Sequence, residues 1–329
     1  MIKQSSILAL VGCLFCGASL TQSQAQEQAQ EAQKKGYSFE AIPLTPIDQS
    51  SVYFIPTTVE GKPVNMLLDT GAGAPFVFST SLAQSLHKKL KDNVNSTTAS
   101  GSTKTHTAVF TNIRIGERYG SPKINALIIK LNHLDRFKVN GEQRIPDGLV
   151  GAKFLSALRA VLDFEHDTLL IPPAQAKNTS YAFSRKAKKD LILPLLKGAH
   201  GYHYINIKIS GQTYAFLIDS AATVNTIDPA IATALNLKAE KIPGAIGGAG
   251  SNTKSGQQRA VVHNLLLGGK IQLANMNFYL IPGHTSAAGL PAGTKVAGIF
   301  GSQTLKNFGA KLDFGAPSLI FPRANFQKK

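Results

Sequence analysis

The chain has 329 residues, 35 of them basic and 19 acidic, for a formal net charge of +16. Its two cysteines, Cys13 and Cys16, lie close to the N-terminus, so the remainder has no disulfide, no thiolate metal site and no thiol nucleophile. The basic residues are scattered and not interleaved with aromatics, which argues against a nucleic-acid surface and for a weak attraction to an anionic envelope.

Residues 1–25 read as an export signal, with Lys3 as a charged start, an apolar stretch over 7–20 and the small-x-small cleavage site Ser23-Gln24-Ala25. A periplasmic or secreted chain beginning near Gln26 is expected. Leu10-Val11-Gly12-Cys13 also resembles a bacterial lipobox, which would lipidate Cys13; the short apolar stretch before it, and Leu14 and Phe15 after it, weigh against that reading. Residues 26–50 are Gln- and Ala-rich, then Pro-containing, and form a low-complexity leader expected to bury little.

Residues 52–59 and 64–68 predict a hairpin whose second strand delivers Asp69 to a turn, Asp69-Thr70-Gly71. Ser79 is placed to cap a short helix through residue 90, with Leu82 and Leu86 facing the core. Residues 93–107 are small and polar around Ser100-Gly101, and strands are expected at 108–115 and 125–131, followed by a charged surface loop over 133–146. Beyond Leu149-Val150-Gly151, residues 152–160 have helical spacing, and 161–164 with 168–171 predict a closing hairpin. The stretch from Pro172 to Lys189 is a linker with a solvated basic run. Further on, Asp228-Pro229 supplies an N-cap and a first-turn proline to a helix ending near Leu237. Residues 244–250 hold four glycines around Ile246, a composition suited to backbone that opens and closes.

Asp69 is the residue that calls for explanation, because an acid at the end of a buried strand is costly unless it is hydrogen-bonded, neutralised or used. An isolated Asp-Thr-Gly is ordinarily a β-turn. Here a second apolar run, 214–218, leads into Asp219-Ser220-Ala221-Ala222, at an offset of 150 residues. The same offset relates Gly61 to Gly211, Gly151 to Gly301, Asp163 to Asp313, Phe164 to Phe314 and Pro172 to Pro322. The chain is therefore a tandem duplication. Its expected units are lobe one over 51–173, a linker over 174–199 and lobe two over 200–329. Asp163 and Asp313 stand beside turns with no glycine cradle, and read as structural.

Asp69-Thr70-Gly71 with Leu149-Val150-Gly151, and Asp219-Ser220-Ala221 with Ile299-Phe300-Gly301, resemble the paired motifs of the aspartic peptidases. The match departs only at Ala221, where the family has glycine. The short lobes and the 244–250 stretch look more like retropepsin-type enzymes than pepsin. The resemblance spans about residues 51–322 and implies an all-β fold with a few short helices. Two pseudo-twofold-related β-barrel lobes would then flank an active cleft. It implies Asp69 and Asp219 as the catalytic pair, with Thr70, Gly71, Ser220 and Ala221 supporting the active loops. The hydroxyls of Thr70 and Ser220 would each reach the opposite loop's backbone. Gly151 and Gly301 would support the loops from behind. Ser100 and Gly101 fall where such enzymes carry a hairpin flap, though the same composition suits a mobile loop. Ile246, Gly247, Gly248, Ala249 and Gly250 make a second flap candidate.

Two carboxylates facing each other share a proton, and the ionised one can activate a water against a peptide carbonyl while the other protonates the oxygen. Neither metal nor cofactor is required, and a polypeptide is the implied substrate. A chain holding both halves is expected to work as a monomer. No His-Glu-x-x-His helix, Gly-x-Ser-x-Gly elbow or Gly-Lys-Ser/Thr phosphate loop competes with this reading. Ala221 keeps open an inactive relative that binds peptide at the envelope. A cationic β-protein with structural acids is the third alternative.

Overall fold

A computed structural model describes residues 39–98, 101–116, 119–131, 137–173, 190–242, 257–282 and 287–326. The expected signal over 1–25, Cys13, Ser100 and the second flap candidate (Ile246, Gly247, Gly248, Ala249 and Gly250) lie outside the described residues.

Strands predominate, and the two halves repeat one sheet. In lobe one the order is Thr45–Pro46, Tyr53–Val59, Lys62–Asp69, Gly148–Gly151, Phe76–Ser79, Tyr119–Ile129, Gly101–Ile115 and Lys91–Thr98. In lobe two it is Leu196–Lys197, His203–Ile209, Gln212–Asp219, Val296–Gly301, Thr226–Ile227, Ile271–Leu280, Gln257–Leu267 and Ala239–Ile242. In each lobe a further pairing, Tyr53–Val59 with Gly101–Ile115 and His203–Ile209 with Gln257–Leu267, curls the sheet back on itself. Such closure hides strand edges that would otherwise pair with other chains. Phe76, Phe78 and Phe110 fill one barrel and Phe216, Phe278 and Phe300 the other, all fully buried.

A third sheet joins the lobes, in the order Glu40–Pro43, Thr168–Ile171, Val161–Asp163, Lys311–Asp313, Ser318–Phe321 and Leu191–Pro194. Its central pair is antiparallel with Leu162 opposite Leu312, two residues that are themselves partners in the repeat, so the pseudo-twofold axis passes between them. This sheet and the two lobe sheets correct two expectations. The leader over 26–50 is not structureless throughout, because Glu40–Pro43 and Thr45–Pro46 are strands and Ile42, Leu44 and Ile47 are buried. Nor is the linker over 174–199, where Leu191–Pro194 and Leu196–Lys197 are strands and Leu193 is buried. Both segments carry alternate apolar residues too few to signal a strand alone, and each is held by the edge of an existing sheet.

The stretch expected as either flap or loop is a hairpin, with Lys91–Thr98 antiparallel to Gly101–Ile115 and Thr98 opposite Gly101. The strand expected at 125–131 instead runs Tyr119–Ile129, and the charged loop over 133–146 contains the small hairpin Lys138–Val139 with Glu142–Gln143. The helix Thr80–Ser85 is capped by Ser79, whose Oγ accepts Leu82 N at 3.0 Å, and Asp228 Oδ1 likewise accepts Ala230 N ahead of Pro229–Ala234. Both helices stop earlier than their spacing suggests, since His87 and Asn236 take left-handed backbone just beyond them. Asp163 and Asp313 are buried and cap the turns that follow, accepting Glu165 N and His166 N, and Gly315 N and Ala316 N. Across the lobes, Lys311 pairs with Asp163 and Glu165, and Lys306 with Asp167.

Candidate active site

Lys62–Asp69 and Gln212–Asp219 are central strands, covered on both faces. Met66, Leu67 and Leu68, and likewise Ala215, Phe216 and Ile218, therefore form near-continuous apolar runs. Each strand ends on its acid at the junction between the lobes. Gly151 lies beside Asp69 and Gly301 beside Asp219 in parallel pairing. A methyl group at Gly151 would overlap the carbonyl oxygens of Ala74 and Ala72, and one at Gly301 those of Val224 and Ala222. Glycine thus lets each active loop lean directly on the strand behind it. Ala152 N donates to Ala72 O at 2.8 Å and Ser302 N to Ala222 O at 2.7 Å, tying each loop to the helix that follows its glycine.

The two loops are bonded to each other across the axis. Thr70 Oγ1 donates to Ile218 O at 2.8 Å and accepts Ser220 N at 2.9 Å. Ser220 Oγ donates to Leu68 O at 2.7 Å and accepts Thr70 N at 3.0 Å. Both side chains are buried, where an unmade hydrogen bond costs about 1–3 kcal/mol, so the four bonds hold one geometry.

This brings Asp69 and Asp219 together as a hydrogen-bonded pair. Asp69 Oδ1 accepts Gly71 N at 2.8 Å, and Asp219 Oδ1 accepts Ala221 N at 2.8 Å and Ala222 N at 3.1 Å. Although Asp69 is partly exposed, it is densely surrounded. Desolvation first, and the neighbouring Asp219 second, push its pKa well above the usual carboxylate range, against the opposing effect of the Gly71 and Ala72 amides. Such a pair holds a shared proton, one acid neutral and one charged. Gly71 lies so close that a methyl group there would stand 2.5 Å from Asp219 Oδ2. Its partner in the repeat is Ala221, whose amide donates to Asp219 regardless of its methyl group.

Asp69, Thr70, Gly71, Asp219, Ser220, Ala221, Gly151 and Gly301 therefore converge at one place. Gly101 lies in the hairpin beyond Lys91–Thr98. Other residues of the site carry no repeat signature. Asn225 Oδ1 accepts Gly301 N at 2.9 Å, the task performed in lobe one by the carbonyl of Pro75 for Gly151 N at 3.0 Å. Ser51 and Ser302 share a buried hydrogen bond of 2.7 Å, and Ser302 Oγ reaches Ala222 O at 3.0 Å, linking lobe one to the second loop. Tyr202 stands against Gly73, close enough to the dyad for both acids to raise its pKa after burial has done so. Asn225, Ser302 and Tyr202 differ from their counterparts Pro75, Ala152 and Val52, but in lobes this divergent such differences are common and single out none of them.

The sequence profile of the family described as Aspartyl protease matches the chain twice, over residues 55–154 and 205–304, in register with the internal repeat. No curated protein matches the chain. Among solved structures it is similar to an aspartic proteinase from Irpex lacteus, at 15% identity and a TM-score of 0.45 over 88% of this chain and 100% of that one. It is also similar to a retropepsin-like aspartic protease from Rickettsia conorii, at 15% identity and a TM-score of 0.29 over 40% of this chain and 90% of that one. A third similarity is to Basic 7S globulin from soybean, at 8% identity and a TM-score of 0.43 over 89% of this chain and 98% of that one.

Proposed function

This chain belongs to the aspartyl protease family, and from that premise we propose that it is an exported, monomeric aspartic endopeptidase acting on polypeptides. The observation that carries the reading is the hydrogen-bonded pair Asp69 and Asp219 on loops cross-bonded through Thr70 and Ser220. The charged acid takes a proton from water, the resulting nucleophile attacks the peptide carbonyl, and the neutral acid protonates its oxygen. The fixed loops hold both acids at one height, which is what an in-place proton exchange between them requires. Retention of the Ala221 amide bond to Asp219 favours a working dyad over a binding-only relative. Export rests on the residues 1–25 pattern, and the net charge of +16 suits a weak hold on an anionic envelope.

The test is to incubate the purified chain with an unstructured protein, with and without a transition-state-mimicking peptide inhibitor. Inhibitor-sensitive cleavage that vanishes in both Asp69→Asn and Asp219→Asn is the expected result. Cleavage surviving either substitution would remove the dyad from the mechanism. Tight inhibitor binding without cleavage would establish the peptide-binding relative instead.

A further inference from the structure

The two lobes grip each other by equivalent segments. Gly201, with left-handed backbone, lies so close to Ala152 and Lys153 at the start of a lobe-one helix that a methyl group there would stand 3.1 Å from Lys153 Cα. Its repeat partner is Ser51, which hydrogen-bonds Ser302 at the start of the equivalent helix of lobe two. One residue further the symmetry fails. Lobe one has Val52, buried and without a hydroxyl, whereas lobe two has Tyr202.

Tyr202 is firmly placed. Gly198 N donates to its carbonyl at 2.9 Å, its own N–H donates to Ala199 O at 3.2 Å, and Ala199 N is held by Ala288 O at 2.8 Å. The turn therefore presents the phenol to the first active loop, where a methyl group on Gly73 would lie 2.9 Å from Tyr202 Oη, and the Gly73 amide faces that oxygen. The amides of the first loop are thus divided, those of Gly71 and Ala72 going to Asp69 and that of Gly73 to the opposite lobe. In the second loop Ala221 and Ala222 serve Asp219, while Thr223, the counterpart of Gly73, is exposed.

We infer that Tyr202 is a positioning residue of the dyad: its hydroxyl, brought across from lobe two, fastens the Gly73 amide and with it the loop carrying Asp69, whereas the Asp219 loop is tied to the opposite lobe through Ser302 and Ser51. As a role in hydrolysis this rests on the proteolytic reading above. The titratable groups around the contact are Asp69 and Asp219 on the two loops, Tyr204 on the strand that follows, His200 with its ring 6.4 Å from that of Tyr202, and Lys153 beneath Gly201. With the loop fastened, the Gly71 and Ala72 amides stay aimed at Asp69 and favour its charged form.

Tyr202→Phe keeps the ring and removes only the oxygen. Turnover should fall about three- to tenfold at unchanged KM, because the hold acts on the reacting groups rather than on substrate binding. The alkaline limb of the pH profile, set by the acid whose pKa is raised, should move up by about half a pH unit as the amides loosen from Asp69. In the protein without substrate, carboxyl-carbon NMR should show the same upward move of the Asp69 titration. Hydrogen exchange at the Gly73 amide should become at least about fivefold faster. These last two readings do not depend on hydrolysis: if both are unchanged, the inference is overturned whether or not the chain cleaves peptides. A lower melting temperature with titration and Gly73 exchange unmoved would assign the hydroxyl to packing and overturn it equally. Both changes seen in a wild type that cleaves nothing would uphold the hold on the loop and count against the proteolytic reading.

Discussion

Placing a methyl group on Gly71 is the sharpest perturbation available. The added carbon would stand 2.5 Å from Asp219 Oδ2, 2.7 Å from its Cγ and 3.0 Å from Oδ1. Relief to an ordinary van der Waals contact needs the carboxylate or the loop to move by about 0.9 Å. The loop cannot yield freely, because Thr70 on one side is cross-bonded to Ser220 and Ala72 on the other receives Ala152 N. Asp219 must therefore shift, and an error of about 1 Å at a reacting group lowers the rate about 100-fold. Gly71→Ala should lose about that factor in kcat on a quenched-fluorescence peptide, with circular dichroism unchanged. Ala221→Gly, which removes the corresponding methyl group from the other loop, should leave activity equal or higher and widen the residues accepted next to the scissile bond. Gly71→Ala within about threefold of wild-type kcat would refute the close approach as a requirement. A large loss in Ala221→Gly would make its methyl group part of the working site.

Ala72 and Ala222 follow the two active triplets and offer the carboxylates no hydroxyl donor. The pH-rate bell should therefore lie towards neutrality, and Ala72→Ser with Ala222→Ser should move it towards acid; a bell that stays in place would show that other neighbours set the dyad. Because burial and Asp219 raise the Asp69 pKa, the folded state holds that proton more tightly than the unfolded chain. The resulting stability is complete below the unfolded value near 4 and is lost as pH rises through the folded one. Asp69→Asn should accordingly melt higher than wild type at neutral pH, and an equal or lower melting temperature would contradict the shift. His203 is buried with neither ring nitrogen hydrogen-bonded among the described residues, its ring edge-on to Phe314 at 5.0 Å, and burial lowers its pKa to about 4. The unfolded chain binds that proton first, so stability falls as pH drops from about 6.5 to 4. His203→Phe should raise the melting temperature at pH 4.5 more than at pH 7.5, and equal changes at the two pH values would exclude the histidine as the cause.

The repeat, the two acids, the strands that carry them and the glycines behind them were all legible in the sequence. Each leaves a local mark: a central strand covered on both faces reads as an unbroken apolar run, and a loop pressed on a strand tolerates only glycine. Ser79 and Asp228 announced their helices for the same reason, since a cap acts within one turn. What the tertiary structure alone decided are contacts between lobes or with sheet edges. Glu40–Pro43 and Leu191–Pro194 become strands only because an edge of the joining sheet accepts their backbone, and their composition says nothing of it. The hairpin of Lys91–Thr98 with Gly101–Ile115 forms by backbone pairing with its neighbours, which its small polar composition does not announce. Ala221 looked like a defect in the motif, yet the backbone amide that the site uses survives the methyl group, because hydrogen bonding there belongs to the main chain. Tyr202 left no mark at all, since its partner is an amide of the opposite lobe and the repeat offers only Val52 for comparison. Local order follows from spacing along the chain, whereas the difference between the two halves of the dyad arises only where segments distant in sequence meet.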